Sequence, residues 1–240
     1  MERSLIMDSI KTTARAAGIL YLMIIIFAGF SAGYVRSGII VPGNAEATAT
    51  NIMASEGLFR IGFVSDLIAF LTDAAVAVLL FVLLRPVSKT LSLLAAALRL
   101  LAHPAIAAIN LLNHFIPLLL LGNADYLSAF QSEQLNAMVM IFLDAHTTGY
   151  LIAGAFFGVH LLLLGWLLFR SDLFPGILGI LVFIASLGYL TESFGNFLVP
   201  GHESVFAWIV AIPAVIGELS FALWLVIKGV RNPQPAGARR

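Results

Sequence analysis

Six side chains able to carry charge, ligate a metal or anchor a hydrogen bond interrupt long apolar stretches of this sequence: Asp73, Asn110, His114, His160, Glu192 and Glu218. A charge at the centre of a bilayer costs about 2.5–3.5 kcal/mol on the insertion scale, so such residues face a protein interior and pair or neutralise. Histidine and carboxylate are also the donors that zinc takes in sites with an open coordination position. The chain has no cysteine, so disulfides, thiolate zinc sites, iron–sulfur clusters and a cysteine nucleophile are excluded. Any metal would rest on His and carboxylate ligands.

Each residue also has a packing reading. Asn110 and Asn113 suit interhelical hydrogen bonds, and a lone histidine such as His160 suits a satisfied core position. Asp66, His202 and Glu203 fall near an outer surface, where solvent would meet them. Asp73 and Glu218 resist this treatment, because no basic residue is expected at their depth. They are expected to be protonated, hydrogen-bonded or in contact with internal water. No HExxH metal motif, serine-hydrolase elbow, P-loop or dinucleotide fingerprint is present.

The elements that must position these groups are membrane spans. With 60% hydrophobic and 11% charged residues and a mean hydropathy of +1.00, the chain is far from soluble usage. Thirteen basic against thirteen acidic residues leave no net field to draw nucleic acid, so the bilayer is the expected partner. Apolar runs predict an all-α, polytopic bundle of six spans, at 16–35, 61–84, 100–121, about 149–170, 175–198 and 205–227. The first run is longer than a signal-peptide core, which argues against cleavage. Pro42-Gly43-Asn44 predicts a turn and N-cap before a short surface helix. Leu91–Leu98 is assigned to the inner surface, with Arg99 as the boundary of span three. The run 135–169 is too long for one crossing, so it is split near Thr147-Thr148-Gly149, its first part forming an extra outer-surface helix before span four. Pro213 is expected to kink span six.

Most basic residues, Arg3, Lys11, Arg15, Arg85, Lys89, Arg99, Arg170, Lys228, Arg231, Arg239 and Arg240, fall on one side, against Arg36 and Arg60 on the other. That asymmetry predicts cytoplasmic termini and a bacterial inner-membrane location. Residues 1–15 are then a cytoplasmic segment, 16–229 one transmembrane domain and 230–240 a disordered tail.

Counting 1.5 Å per residue from the inner ends, Asp73 lies about 18 Å deep, Asn110 about 17 Å and His114 about 22 Å. His160 and Glu218 lie about 15 Å deep and Glu192 about 25 Å. These values describe one layer near the midplane. Helical phase puts Arg99, His103, Asn110 and His114 on one stripe, superimposes Asp66 on Asp73, and aligns Tyr189, Glu192, Ser193 and Asn196. The same count separates His103 from His160 by about 9 Å and His114 from His146 by about 14 Å, which argues against two bis-histidine haem sites.

Arg15 through Tyr21, Asn51-Ile52, Leu58-Phe59-Arg60, Leu84 through Val87, His160 through Gly165, Arg170-Ser171, Pro175, Leu178-Gly179, Gly217-Glu218, Trp224-Leu225 and Lys228-Gly229 form a further pattern. It resembles the bacterial membrane-protein family called domain of unknown function 4386 from Arg15 to Gly229. The resemblance implies a multi-pass topology and assigns no activity, substrate or cofactor.

The residues themselves favour a small-molecule or ion binding or transport site formed by Asp73, Asn110, His114, His160, Glu192 and Glu218, with Asp73, His114, His160 and Glu218 pointing into one interior site. An intramembrane His/carboxylate metal enzyme, and a structural or sensory protein whose polar residues fix packing, are the alternatives. No cofactor is assigned, no nucleic-acid partner is expected and the oligomeric state is open.

Overall fold

In lipid every backbone N–H and C=O must be paired within the protein, so apolar sequence of this length folds as helices that satisfy their own backbone. The computed structural model describes residues 2–231, and among them six helical stretches are long and apolar enough to cross a membrane. The expected tail, 230–240, lies almost wholly outside the described residues.

The first span is α1 (Glu2–Phe30), which widens into a π-helical turn at Ser31–Arg36 and ends in a last turn at Ser37–Ile39. The Pro42-Gly43-Asn44 turn follows, and the Asn44 side chain caps α2 (Ala45–Ala54) by accepting from the Ala47 N–H at 2.9 Å. Helix α3 (Glu56–Leu84) stops at Arg85-Pro86. Helices α4 (Lys89–Leu100) and α5 (Ala108–Leu120) are joined by a second π-helical turn, Leu101–Ala107. Pro104 sits inside that turn, where its missing N–H and its ring prevent ordinary α-helical pairing. After a 3₁₀ turn at Asp125–Ala129 come α6 (Ser132–Arg170), α7 (Gly176–Leu198) and α8 (Glu203–Ile227). Pro213 lies within α8 without ending it.

Two boundaries differ from the sequence reading. Residues 132–170 form one uninterrupted helix of 39 residues, with no separate surface helix before it. A helix of about 58 Å exceeds the hydrocarbon thickness but need not break there. Its first half is held by packing on α2 and α5. Leu91–Leu98 likewise is no inner-surface segment: it belongs to a single span from Lys89 to Leu120, which carries Arg99 into the bundle.

Helix α1 packs on α3 and α8, α6 on α4, α5 and α7, and α7 on α8. Glycines permit the closest approaches, and a Cβ on Gly165 would meet the Gly179 carbonyl of α7 at 2.8 Å. Ser9 and Thr13 of α1, the Arg85-Pro86 turn and Leu173 border one cleft, and the Arg231 N–H donates to the Leu173 carbonyl at 2.9 Å. These segments mark one end of the bundle, here called the basic end. The connections 40–44 and 121–131 lie at the opposite, distal end.

Candidate functional site

The buried polar residues form two separate clusters. Toward the basic end, Arg99 is 1% exposed and its Nε and Nη2 donate to Oδ1 of Asp73 at 2.8 and 2.5 Å. The other Asp73 oxygen accepts from Nδ1 of His103 at 3.1 Å. His160 Nδ1 faces the Ala95 carbonyl at 2.8 Å, which can only accept, so Nδ1 carries the proton and Nε2 accepts from Arg99 Nη1 at 3.1 Å. The guanidinium lies 4.5 Å from the ring centre of Tyr21 and 5.2 Å from that of Phe157. Tyr21 and Tyr189 donate to the two oxygens of Glu218 at 2.6 and 2.9 Å. One network thus joins all six spans: Tyr21, Asp73, Arg99 with His103, Phe157 with His160, Tyr189 and Glu218.

The second cluster lies distally. His114, His146 and Asp66 are fully or almost fully buried, and one ligand atom from each lies within 4.8 Å of the others. The His114 and His146 rings meet edge to face with centroids 5.3 Å apart, and Phe59 packs on His114 at 4.3 Å. Asp66 Oδ2 is ion-paired with Arg36 and lies 2.8 Å from the Ser31 hydroxyl, which is 2.9 Å from the Gly62 carbonyl. Ser31 and Arg36 begin and end the π-helical turn, whose wider winding lets Arg36 Nη1 donate to Ser31 Oγ at 2.8 Å. His146 Nδ1 lies 3.2 Å from the Asn110 backbone carbonyl and 3.3 Å from the Asn110 Nδ2; donation to the carbonyl puts the proton on Nδ1 and leaves the Nε2 lone pair free. The Asn110 amide donates to the His146 carbonyl at 2.7 Å and is steadied by Asn113 at 2.9 Å. Gly149, which the sequence reading took as a break, leaves room for that amide: a Cβ there would collide with it.

The clusters differ in how well their polar atoms are satisfied. Every ionisable side chain of the basic-end network has a partner. In the distal cluster, Asp66 Oδ1, both His114 ring nitrogens, His146 Nε2 and the Tyr150 hydroxyl are buried without a well-formed hydrogen bond, the Tyr150 hydroxyl lying beside Asp66 and Arg36 and the His114 ring beside the Phe59 backbone. A buried polar atom left unpaired costs about 1–3 kcal/mol, which sets this cluster apart from the satisfied basic-end network.

The expected single layer is therefore two. Asp73, His160 and Glu218 meet in the basic-end network, whereas Asn110 and His114 belong to the distal cluster. Glu192 is half-buried on α7 and is hydrogen-bonded by its side chain to neither cluster among the described residues. The displacement has one cause: Arg99 is not a boundary residue. Counted from Lys89, Arg99 lies about 15 Å deep, level with Asp73, whereas His114 lies about 38 Å along the span. His146 lies about 36 Å from Arg170, level with His114. This also corrects the separations expected for the histidine pairs, since His103 and His160 both join the Asp73–Arg99 pair and His114 touches His146. Asp66, assigned to solvent from its position, is fully buried. Asp73 has the basic partner that sequence depth denied it.

Sequence reasoning passed over Arg36, Tyr150, Tyr21 and Tyr189 as functional groups. Two regularities carried the missing signal: His146 and Tyr150 are four apart on one face, as are Asn110 and His114.

The six apolar helices and the polar clusters between them define an all-α, multi-pass membrane protein. More narrowly, the chain belongs to the family described as Domain of unknown function (DUF4386), which matches residues 16–229. It is 37% identical over 157 residues to an uncharacterized protein of Archaeoglobus fulgidus, covering 65% of this chain and 76% of that protein. No solved structure matches.

Proposed function

We propose that this membrane protein binds a small ion or polar molecule in its distal half, at Asp66, His114 and His146, and that the basic-end network is the scaffold holding the six spans in register. One observation carries the reading: residues on α3, α5 and α6 each bring a ligand atom within 4.8 Å of the others, and each of the three has a buried polar atom without a hydrogen-bond partner. Histidines and a carboxylate within membrane spans mark ion and ligand sites by default, because their burial is costly. The saturated basic-end network has no such vacancy among its ionisable groups, and supports a structural role for Asp73, Arg99, His160 and Glu218. The basic asymmetry survives the removal of Arg99 from the surface count, and supports a basic end facing the cytoplasm of a bacterial inner membrane.

Native mass spectrometry of the full chain in mild detergent tests the reading. The wild type should retain a bound species that His114→Phe loses, while both unfold at similar temperatures. An equal ligand content in the two proteins would place the site elsewhere, and an empty wild type would overturn the reading.

A further inference from the structure

The donor set of the distal cluster narrows the ligand. Magnesium and calcium prefer all-oxygen surroundings, whereas two imidazoles and one carboxylate suit zinc and the divalent first-row transition metals. Tetrahedral ligands about 2.0–2.2 Å from a zinc ion are roughly 3.4 Å apart. Ligand atoms within 4.8 Å of one another therefore need to close by at most about 1.4 Å. The second layer is of the right kind too. His146 is held through Nδ1 by the Asn110 carbonyl, so Nε2 presents a lone pair to the cluster. The Tyr150 hydroxyl is buried beside Asp66 and Arg36, on a ring 4.9 Å from that of His146, where it can meet a water or anion in a fourth position.

Arg36 supplies the remaining part of the argument. In this structure it neutralises Asp66 through Oδ2, while Oδ1 stays free. A divalent cation arriving beside an intact Asp66–Arg36 pair would leave two uncompensated positive charges in a low-dielectric interior. Arg36 is the one partner able to leave, since its side chain is 14% exposed and sits at the last residue of the π-helical turn, next to the distal connection. The remaining charges, Asp66 and the ion, then sum to one positive charge, which the open position can compensate with an anion.

Resting on the binding reading above, we propose that the ligand is one divalent transition-metal ion held by Asp66, His114 and Nε2 of His146, and that Arg36 is the internal cation it displaces from Asp66. Metal and arginine compete for one carboxylate, so removing the arginine strengthens metal binding, whereas removing a ligand abolishes it.

The test is metal titration of the full chain in detergent with zinc and with cobalt, read by calorimetry, elemental analysis and the visible bands of cobalt. The wild type should take up one ion per chain. Asp66→Asn and His146→Gln should lose it, and Arg36→Gln should bind about tenfold tighter or more, as expected for removal of a neighbouring like charge. A wild type that takes up neither metal at micromolar concentration, yet retains a metal-free small molecule in native mass spectrometry, overturns the metal assignment and leaves the binding reading standing. A folded wild type that binds nothing overturns both. Weaker binding in Arg36→Gln would show that the arginine supports the site and does not compete for it. Should a ligand variant fail to fold, wild-type stoichiometry and the sign of the Arg36→Gln change still decide.

Discussion

Cutting the Asp73–Arg99 pair is the sharpest test of the scaffold. Arg99→Met removes two hydrogen bonds to Asp73, one to His160 and a cation resting on two aromatic faces, and leaves the Asp73 carboxylate with His103 alone. Asp73→Leu leaves the reverse problem, a fully buried guanidinium without its counter-charge. Breaking a buried pair from one side typically costs about 3–5 kcal/mol, because the survivor is buried uncompensated. That corresponds to a loss of roughly a hundred- to several-thousand-fold in the folding equilibrium. The double variant Asp73→Leu with Arg99→Met removes both charges. Its cost should fall below the sum of the singles by about 2 kcal/mol or more, the residue being the unpaired His160 Nε2 and the lost aromatic contacts. Reversible unfolding in mixed detergent micelles, followed by tryptophan fluorescence, measures all three. Single variants each costing under about 1 kcal/mol, with an additive double, would mean that the pair is solvated and that no six-span network holds the bundle.

Three further outcomes are expected. Gly149→Ala should lower stability by about 1–3 kcal/mol, because the new Cβ meets the Asn110 amide, and Ala substituted at the open Gly57 should serve as the unaffected control in the same unfolding assay. Asn110→Ala should cost about 1–3 kcal/mol by removing the side-chain bond to the His146 carbonyl and leaving the Asn113 amide without its acceptor, while the Asn110 backbone carbonyl that faces His146 Nδ1 remains, so the native mass spectrum should show ligand retained. In cells, single cysteines introduced as Glu46→Cys, Asp125→Cys and Glu203→Cys should react with an impermeant thiol reagent, while Lys89→Cys is protected; the opposite pattern would invert the orientation.

Span number and class were legible in the sequence because lipid imposes a one-dimensional rule: an apolar run of sufficient length must become a self-paired helix. The turn and cap at Pro42-Gly43-Asn44 and the stop at Arg85-Pro86 were legible for a similar reason, since each depends on a few adjacent residues. The family was readable from motifs spread along the chain. Polar residues inside spans announced buried clusters from composition alone. Depth was the quantity that failed, because it needs a reference point, and a charged residue was taken as the mark of a membrane surface. Arg99 breaks that rule: an arginine can lie inside a bundle when a carboxylate on another helix meets it, and that carboxylate is 26 residues away in sequence. Misplacing this one residue moved His114 into the wrong layer and parted it from His146. The length argument for splitting α6 failed similarly, since a helix may outrun the hydrocarbon when neighbouring helices cover it. Sequence by itself determined that these side chains must be buried in a helical bundle; which of them meet, and which are left unpaired, was decided by the packing of six helices against one another, which no local pattern encodes.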